Sequence, residues 1–145
     1  MKIQDKDLYH GAALTQIVCH PTFKSINKDR EMLKYGCYSV NDFLVFIKIS
    51  TGPGPAWQFT FKMDDLIILK KLLNRKFFLC LVCSDKTICC MNKTEICDVL
   101  DLRDQSQQYI RVKAPPGGSI HVNGPKDKKL GHTISHNTFP DKLFL

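Results

Sequence analysis

The amino-acid sequence predicts an α+β fold: a mainly antiparallel sheet built from consecutive hairpins, with about three short helices packed on it. Three observations carry this. Strand-like segments with turn residues between them recur along the chain and alternate with three stretches of helical spacing. In "WQFTF", Trp57, Phe59 and Phe61 alternate with Gln58 and Thr60, the two-residue period of a strand with one buried side. Most neighbouring strand segments are joined by connections too short for the crossover that a parallel pair requires.

The elements follow in order. Leu8 to Cys19 places Leu14, Ile17 and Val18 at helical spacing, with Asp7 positioned to cap the first turn and Pro21 to stop the helix. "GCYSV", Asn41-Asp42 and "FLVFIKI" read as strand, tight turn and strand, because Asn and Asp tolerate the positive φ angles of two-residue turns. After the loop "STGPGPA" and the strand "WQFTF", Asp64 or Asp65 is expected to cap a helix running to about Leu73. Its Leu66, Leu69, Leu72 and Leu73 face inward, and Lys70 and Lys71 stay in water.

A hairpin turning at Ser84-Asp85-Lys86 comes next. A third helix opens at Asn92, three residues before Glu95 as in a capping box, and buries Ile96, Val99 and Leu100. The last hairpin runs from "YIRVK" through "APPGGS" to "IHV". Residues 1–145 are read as one domain, with 124–145 a Gly/Lys-rich loop and an apolar tail.

Composition narrows the function classes. Hydrophobic residues make up 43% and charged residues 24%, an ordinary globular balance. The N-terminal stretch carries Asp5 and Asp7 and does not read as a signal peptide. The longest apolar run, Phe77 to Cys83, falls far short of the ~20 residues of a membrane span. Seven cysteines, an odd number, are then expected to be free thiols, and the cytoplasm is the expected location.

Four of those cysteines crowd into "FFLCLVCSDKTICCMN". Cys80 and Cys83 have the spacing of a metal knuckle, but the intervening Leu81-Val82 favours an extended backbone, on which positions three apart project from opposite sides. Cys89 and Cys90 diverge for the same reason. The four are therefore expected to be core residues holding no metal, and no cofactor is expected.

Two histidines sit in matching tetrapeptides, "HPTF" (His20, Thr22) and "HNTF" (His136, Thr138). The pair resembles the signature of the two-histidine (2H) phosphoesterases. That resemblance implies two strands each presenting a histidine and a hydroxyl, one imidazole accepting a proton and the other donating to the leaving oxygen, without metal. Other catalytic signatures are missing: Lys48 has Phe46 where a PD-(D/E)xK nuclease needs an acid, and no Walker A, G-x-S-x-G or H-E-x-x-H motif occurs.

The formal net charge is +7, and the excess is greatest from Tyr109 to Leu145, where six basic residues face only Asp127 and Asp141. If Ile110 and Val112 point inward, Tyr109, Arg111 and Lys113 share the opposite side, and His121 and Asn123 join them from the next strand. Gly117, Gly118 and the lysines at 126, 128 and 129 (Lys126, Lys128, Lys129) are expected to flank this strip and supply backbone N–H groups and charge for phosphates. The favoured reading is a non-enzymatic module engaging nucleic acid or another polyanion. The alternatives are a metal-independent phosphodiesterase using the two H-x-T motifs, and an interaction module or homodimer docking through Phe139, Leu143, Phe144 and Leu145. No membrane partner is expected.

Overall fold

The computed structural model describes residues 1–28 and 36–145. Among these residues three α-helices, α1 (Asp5–Val18), α2 (Met63–Lys71) and α3 (Lys93–Val99), accompany eight strands. The strands are β1 (Ile26–Lys28), β2 (Cys37–Val40), β3 (Phe43–Ser50), β4 (Ala56–Phe61), β5 (Phe77–Cys83), β6 (Thr87–Asn92), β7 (Gln108–Lys113) and β8 (His121–Asn123). They form two sheets where one was expected: a five-stranded sheet ordered β1-β2-β3-β5-β6, and a three-stranded sheet ordered β4-β7-β8.

All the pairings are antiparallel except β3 with β5. The hairpins β2–β3, β5–β6 and β7–β8 turn where the sequence places them, Asn41 at φ 50° and Ser84 at φ 53° accepting the left-handed backbone. Between β3 and β5 the chain leaves the large sheet, lays β4 against β7 and forms α2, a connection long enough for the parallel return.

The central pair explains its own composition. Phe43 to Ile47 and all of Phe77–Cys83 are buried, because both sides of the large sheet are covered. On one side Leu44, Phe46, Leu79, Leu81 and Met91 pack against Trp57, Phe59, Phe61, Ile110 and Val112 of the small sheet and against Leu66, Leu69, Ile96 and Val99 of α2 and α3. On the other, Val45, Ile47, Phe78 and Val82 meet Ala13 and Ile17 of α1 together with Phe139 and Leu143. The layers are thus α1 with the C-terminal tail, the large sheet, and the small sheet with α2 and α3.

The helix ends revise two expectations. Gln4 is the N-cap of α1, and Asp7 lies at the third helical position, where its Oδ2 accepts the Gln4 N–H at 3.0 Å. Along α1, Ala13 and Ile17 are buried while Val18 is 46% exposed, so the apolar stripe is narrower than the spacing suggests. In α2 the N-cap is Lys62, and Asp65 accepts its N–H at 3.1 Å while also pairing with Lys48 at 3.2 Å. The α3 capping box forms as read, with Asn92 and Glu95 exchanging two 2.9 Å hydrogen bonds.

Cys80 and Cys83 fall in opposite core layers, as do Cys90 and Cys89, so neither pair turns its sulfurs toward a common point. Burial pushes the Cys83 thiol up to about 12, and it also raises those of Cys80 and Cys89 well above the usual thiol value. Among the described residues no helix is long and apolar enough to cross a membrane.

The tail is part of this fold. Leu143 is fully buried, Phe139 nearly so, and Phe144 stacks on His20 with ring centroids 4.1 Å apart. The expectation of a tail free to dock a partner is therefore corrected: its apolar side chains already cover the large sheet, and only Leu145 is exposed. Lys142 locks it in place, donating to the Cys90 carbonyl at 3.0 Å and to Glu95 Oε1 at 2.5 Å. Glu95 Oε2 meets His132 Nε2 at 2.6 Å.

Candidate functional site

The small sheet has one covered side and one open side. In β7, Gln108, Ile110 and Val112 are buried while Tyr109, Arg111 and Lys113 are exposed; in β8, Val122 is buried between exposed His121 and Asn123. Strand register then assembles rows across the open side. One row holds Ala56, Lys113 and His121, the next Gln58, Arg111 and Asn123, and the third Thr60 and Tyr109. Lys129 extends the middle row through its antiparallel bridge to Asn123.

No carboxylate stands in these rows. Among the described residues Arg111, Lys113, His121 and Lys129 make no ion pair, the ion pairs lying elsewhere in the molecule. Nor do the side-chain amides of Gln58 and Asn123 have hydrogen-bond partners among those residues. Cations held close together without acids create a positive potential that only an external anion can relieve.

The flanking residues divide. Lys126 and Lys128 border a recess shared with Asp101 and Asp104, and Asp127 lies between them in the chain. The Asp101 carboxyl is held low chiefly by the Arg103 N–H, with Lys128 contributing, and that of Asp104 chiefly by Ser106, with Lys126 contributing. Part of the charge at 126 and 128 is thus answered within the fold, whereas Lys129 makes no ion pair among the described residues and shares a recess with Asp127. Gly124 brings this loop in: a Cβ there would lie 1.9 Å from the Val99 carbonyl oxygen, so only glycine permits the close approach to α3.

Gly117 and Gly118 flank the strip at the end away from the lysine loop. They sit in the β7–β8 connection, beyond the Lys113 end of the strip, whereas the lysine loop follows Asn123. The Gly118 N–H is spent on the Pro115 carbonyl at 2.9 Å, and its own carbonyl accepts from His136 Nε2 at 2.9 Å. Gly117 takes a left-handed backbone at φ 73° in this turn, and the Gly118 N–H is the one already engaged.

Neither H-x-T tetrapeptide lies on a strand. His20 follows α1, and His136–Thr138 forms a 3-10 turn. The Thr22 N–H donates to His20 Nδ1 at 3.1 Å, which leaves Nε2 to carry the proton toward Asp141 at 3.0 Å. The Gly118 carbonyl fixes the opposite end of His136 in the same way, so Nδ1 accepts from the Thr87 hydroxyl at 2.7 Å. Each imidazole is occupied on both nitrogens by different partners, and neither contacts the hydroxyl of its own motif. The strand-presented pairs implied by the resemblance do not form.

Gln108 carries no motif that marks it in the sequence. Its buried amide accepts the Asp101 N–H at 2.9 Å and donates to the Asp101 and Asp104 carbonyls at 2.6 and 2.9 Å, fixing the turn before β7. The phase of Ile110 and Val112, carried back two residues, would have placed it inward. Comparison with protein-family models, with curated proteins and with solved structures finds no match.

Proposed function

We propose that this chain is a nucleic-acid-binding module that contacts phosphates through the open side of its small sheet. The observation that carries the reading is the set of rows described above: Arg111, Lys113, His121 and Lys129 share one exposed surface with two free amides and a tyrosine, with no acid among them. Arginine and lysine supply the charge that positions a phosphate backbone, and the amides add hydrogen-bonding groups beside it.

Salt dependence tests it. Each neutralised phosphate contributes roughly 0.7 to 0.9 to the negative slope of log affinity against log salt, so replacing Arg111 and Lys113 by glutamine should remove close to two such contributions. The same replacement at Lys70 and Lys71, exposed on α2, should leave the slope unchanged. Equal losses at both places would reduce the attraction to diffuse charge, and no binding of a mixed-sequence oligonucleotide at low salt would remove the function.

A further inference from the structure

Resting on that reading, we infer that the nucleic acid held here is single-stranded, with a base stacked on Tyr109. Tyr109 is 42% exposed, one of seven large hydrophobic side chains exposed among the described residues, and it stands in a strand with Arg111 two residues away on the same side. Its hydroxyl is met by the Gln107 amide at 3.2 Å. A ring beside cations serves a ligand that carries flat apolar surfaces and phosphates together. Unpaired nucleotides offer both, whereas in a duplex neighbouring bases cover one another and present only edges in the grooves.

The breadth of the surface favours a broadside contact over groove insertion. A major groove about 12 Å wide admits a helix or a two-stranded ribbon. Here three strands about 4.8 Å apart lie broadside, with Lys129 widening the middle row beyond them. Gln58 and Asn123 flank Arg111 in that row, each with an amide that both donates and accepts, the equipment for the Watson–Crick edges that only unpaired bases expose. From Tyr109 to Lys113 is four strand steps, about 13 Å, room for a two- or three-nucleotide footprint.

The test uses the full chain and three fluorescent probes: a mixed-sequence 12-nucleotide single strand, the duplex it forms with its complement, and a heparin fragment of matched charge. At one low salt concentration the single strand should bind at least tenfold more tightly than the duplex. Tyr109→Leu should weaken single-strand binding about tenfold and leave duplex binding unchanged, while Tyr109→Phe, which keeps the ring, should bind as the parent does. Thermal melting of both variants should match the parent, because the side chain is exposed. Equal affinity for strand and duplex with the Arg111 and Lys113 slope intact would overturn the single-strand inference and leave the proposed function standing. Tighter binding of heparin than of either oligonucleotide, or binding of none of the three, would overturn both.

Discussion

The two sheets of this molecule solve different problems. In the five-stranded sheet the central strands are covered on both sides, and their sequences are nearly continuous apolar runs, Phe43 to Ile47 and Phe77 to Cys83. In the three-stranded sheet β4 and β7 alternate strictly, because one side meets the core and the other meets water. A side chain that contributes nothing to the core is free to be selected for what it binds. The large sheet supplies the body of the fold, and the open side of the small one holds cations that make no ion pair among the described residues.

The sharpest way to break this contrast is from the buried side of the small sheet. Phe59→Ala should cost about 3 to 5 kcal/mol in denaturant unfolding, since Phe59 is 2% exposed in the core between the sheets. A neutral result would mean that the small sheet is not docked on the large one. Next comes the tail that covers the far side of the large sheet. Lys142→Met removes the cation from Glu95, itself 5% exposed, and should cost about 3 kcal/mol, the low end for a broken buried pair.

That site also has a pH signature. Burial alone would raise the Glu95 carboxyl, but hydrogen bonds from Lys142, the Asn92 backbone and His132 outweigh it and hold it below the usual value. A carboxyl depressed in the folded state contributes stability above its unfolded value of about 4.3 and loses it as pH falls through the folded one. Unfolding midpoints measured below pH 5 should therefore decline less steeply in Glu95→Gln than in the parent.

Smaller effects sharpen the comparison. Cys80→Ser places a hydroxyl among apolar groups at a fully buried position and should cost about 1 to 3 kcal/mol, whereas Cys97→Ser at the surface should change little. A thiol reagent should correspondingly modify Cys19 and Cys97 in the native protein and the five buried cysteines only after unfolding. Smallest of all, Arg111→Gln with Lys113→Gln should shift stability by no more than about 0.5 kcal/mol, because the open side holds nothing together.

What was legible in the sequence is what neighbours decide. The turns at Asn41 and Ser84, the Asn92–Glu95 capping box and the phase of β7 follow from local chemistry, and they stand in the structure. β1 was missed because three half-buried or exposed residues carry no periodic signal. The parallel β3–β5 pair and the departure of β4 to a second sheet depend on contacts between distant segments, which strand periodicity does not encode. The N-caps at Gln4 and Lys62 were hidden because the acids that usually announce a cap sit three residues later.

The candidate site divides along the same line. Pleat alternation alone assembles Tyr109, Arg111, Lys113 and His121. The commitment of Gly118 to a turn, and the nearness of Lys126 and Lys128 to Asp101 and Asp104, appear only once the loops are folded.

The Glu95–Lys142 pair bears on how the chain is made. Synthesis delivers β5, β6 and α3 first, and the cation that completes Glu95 comes 47 residues later. Until then the carboxylate has the Asn92 N–H but neither its lysine nor His132, and sealing it away from water would strand a charge. A nascent chain should therefore keep this end of α3 hydrated while the core between the two sheets is already packing. Lys142, arriving after those elements, then ties the tail to β6 and α3 through the Cys90 carbonyl and Glu95.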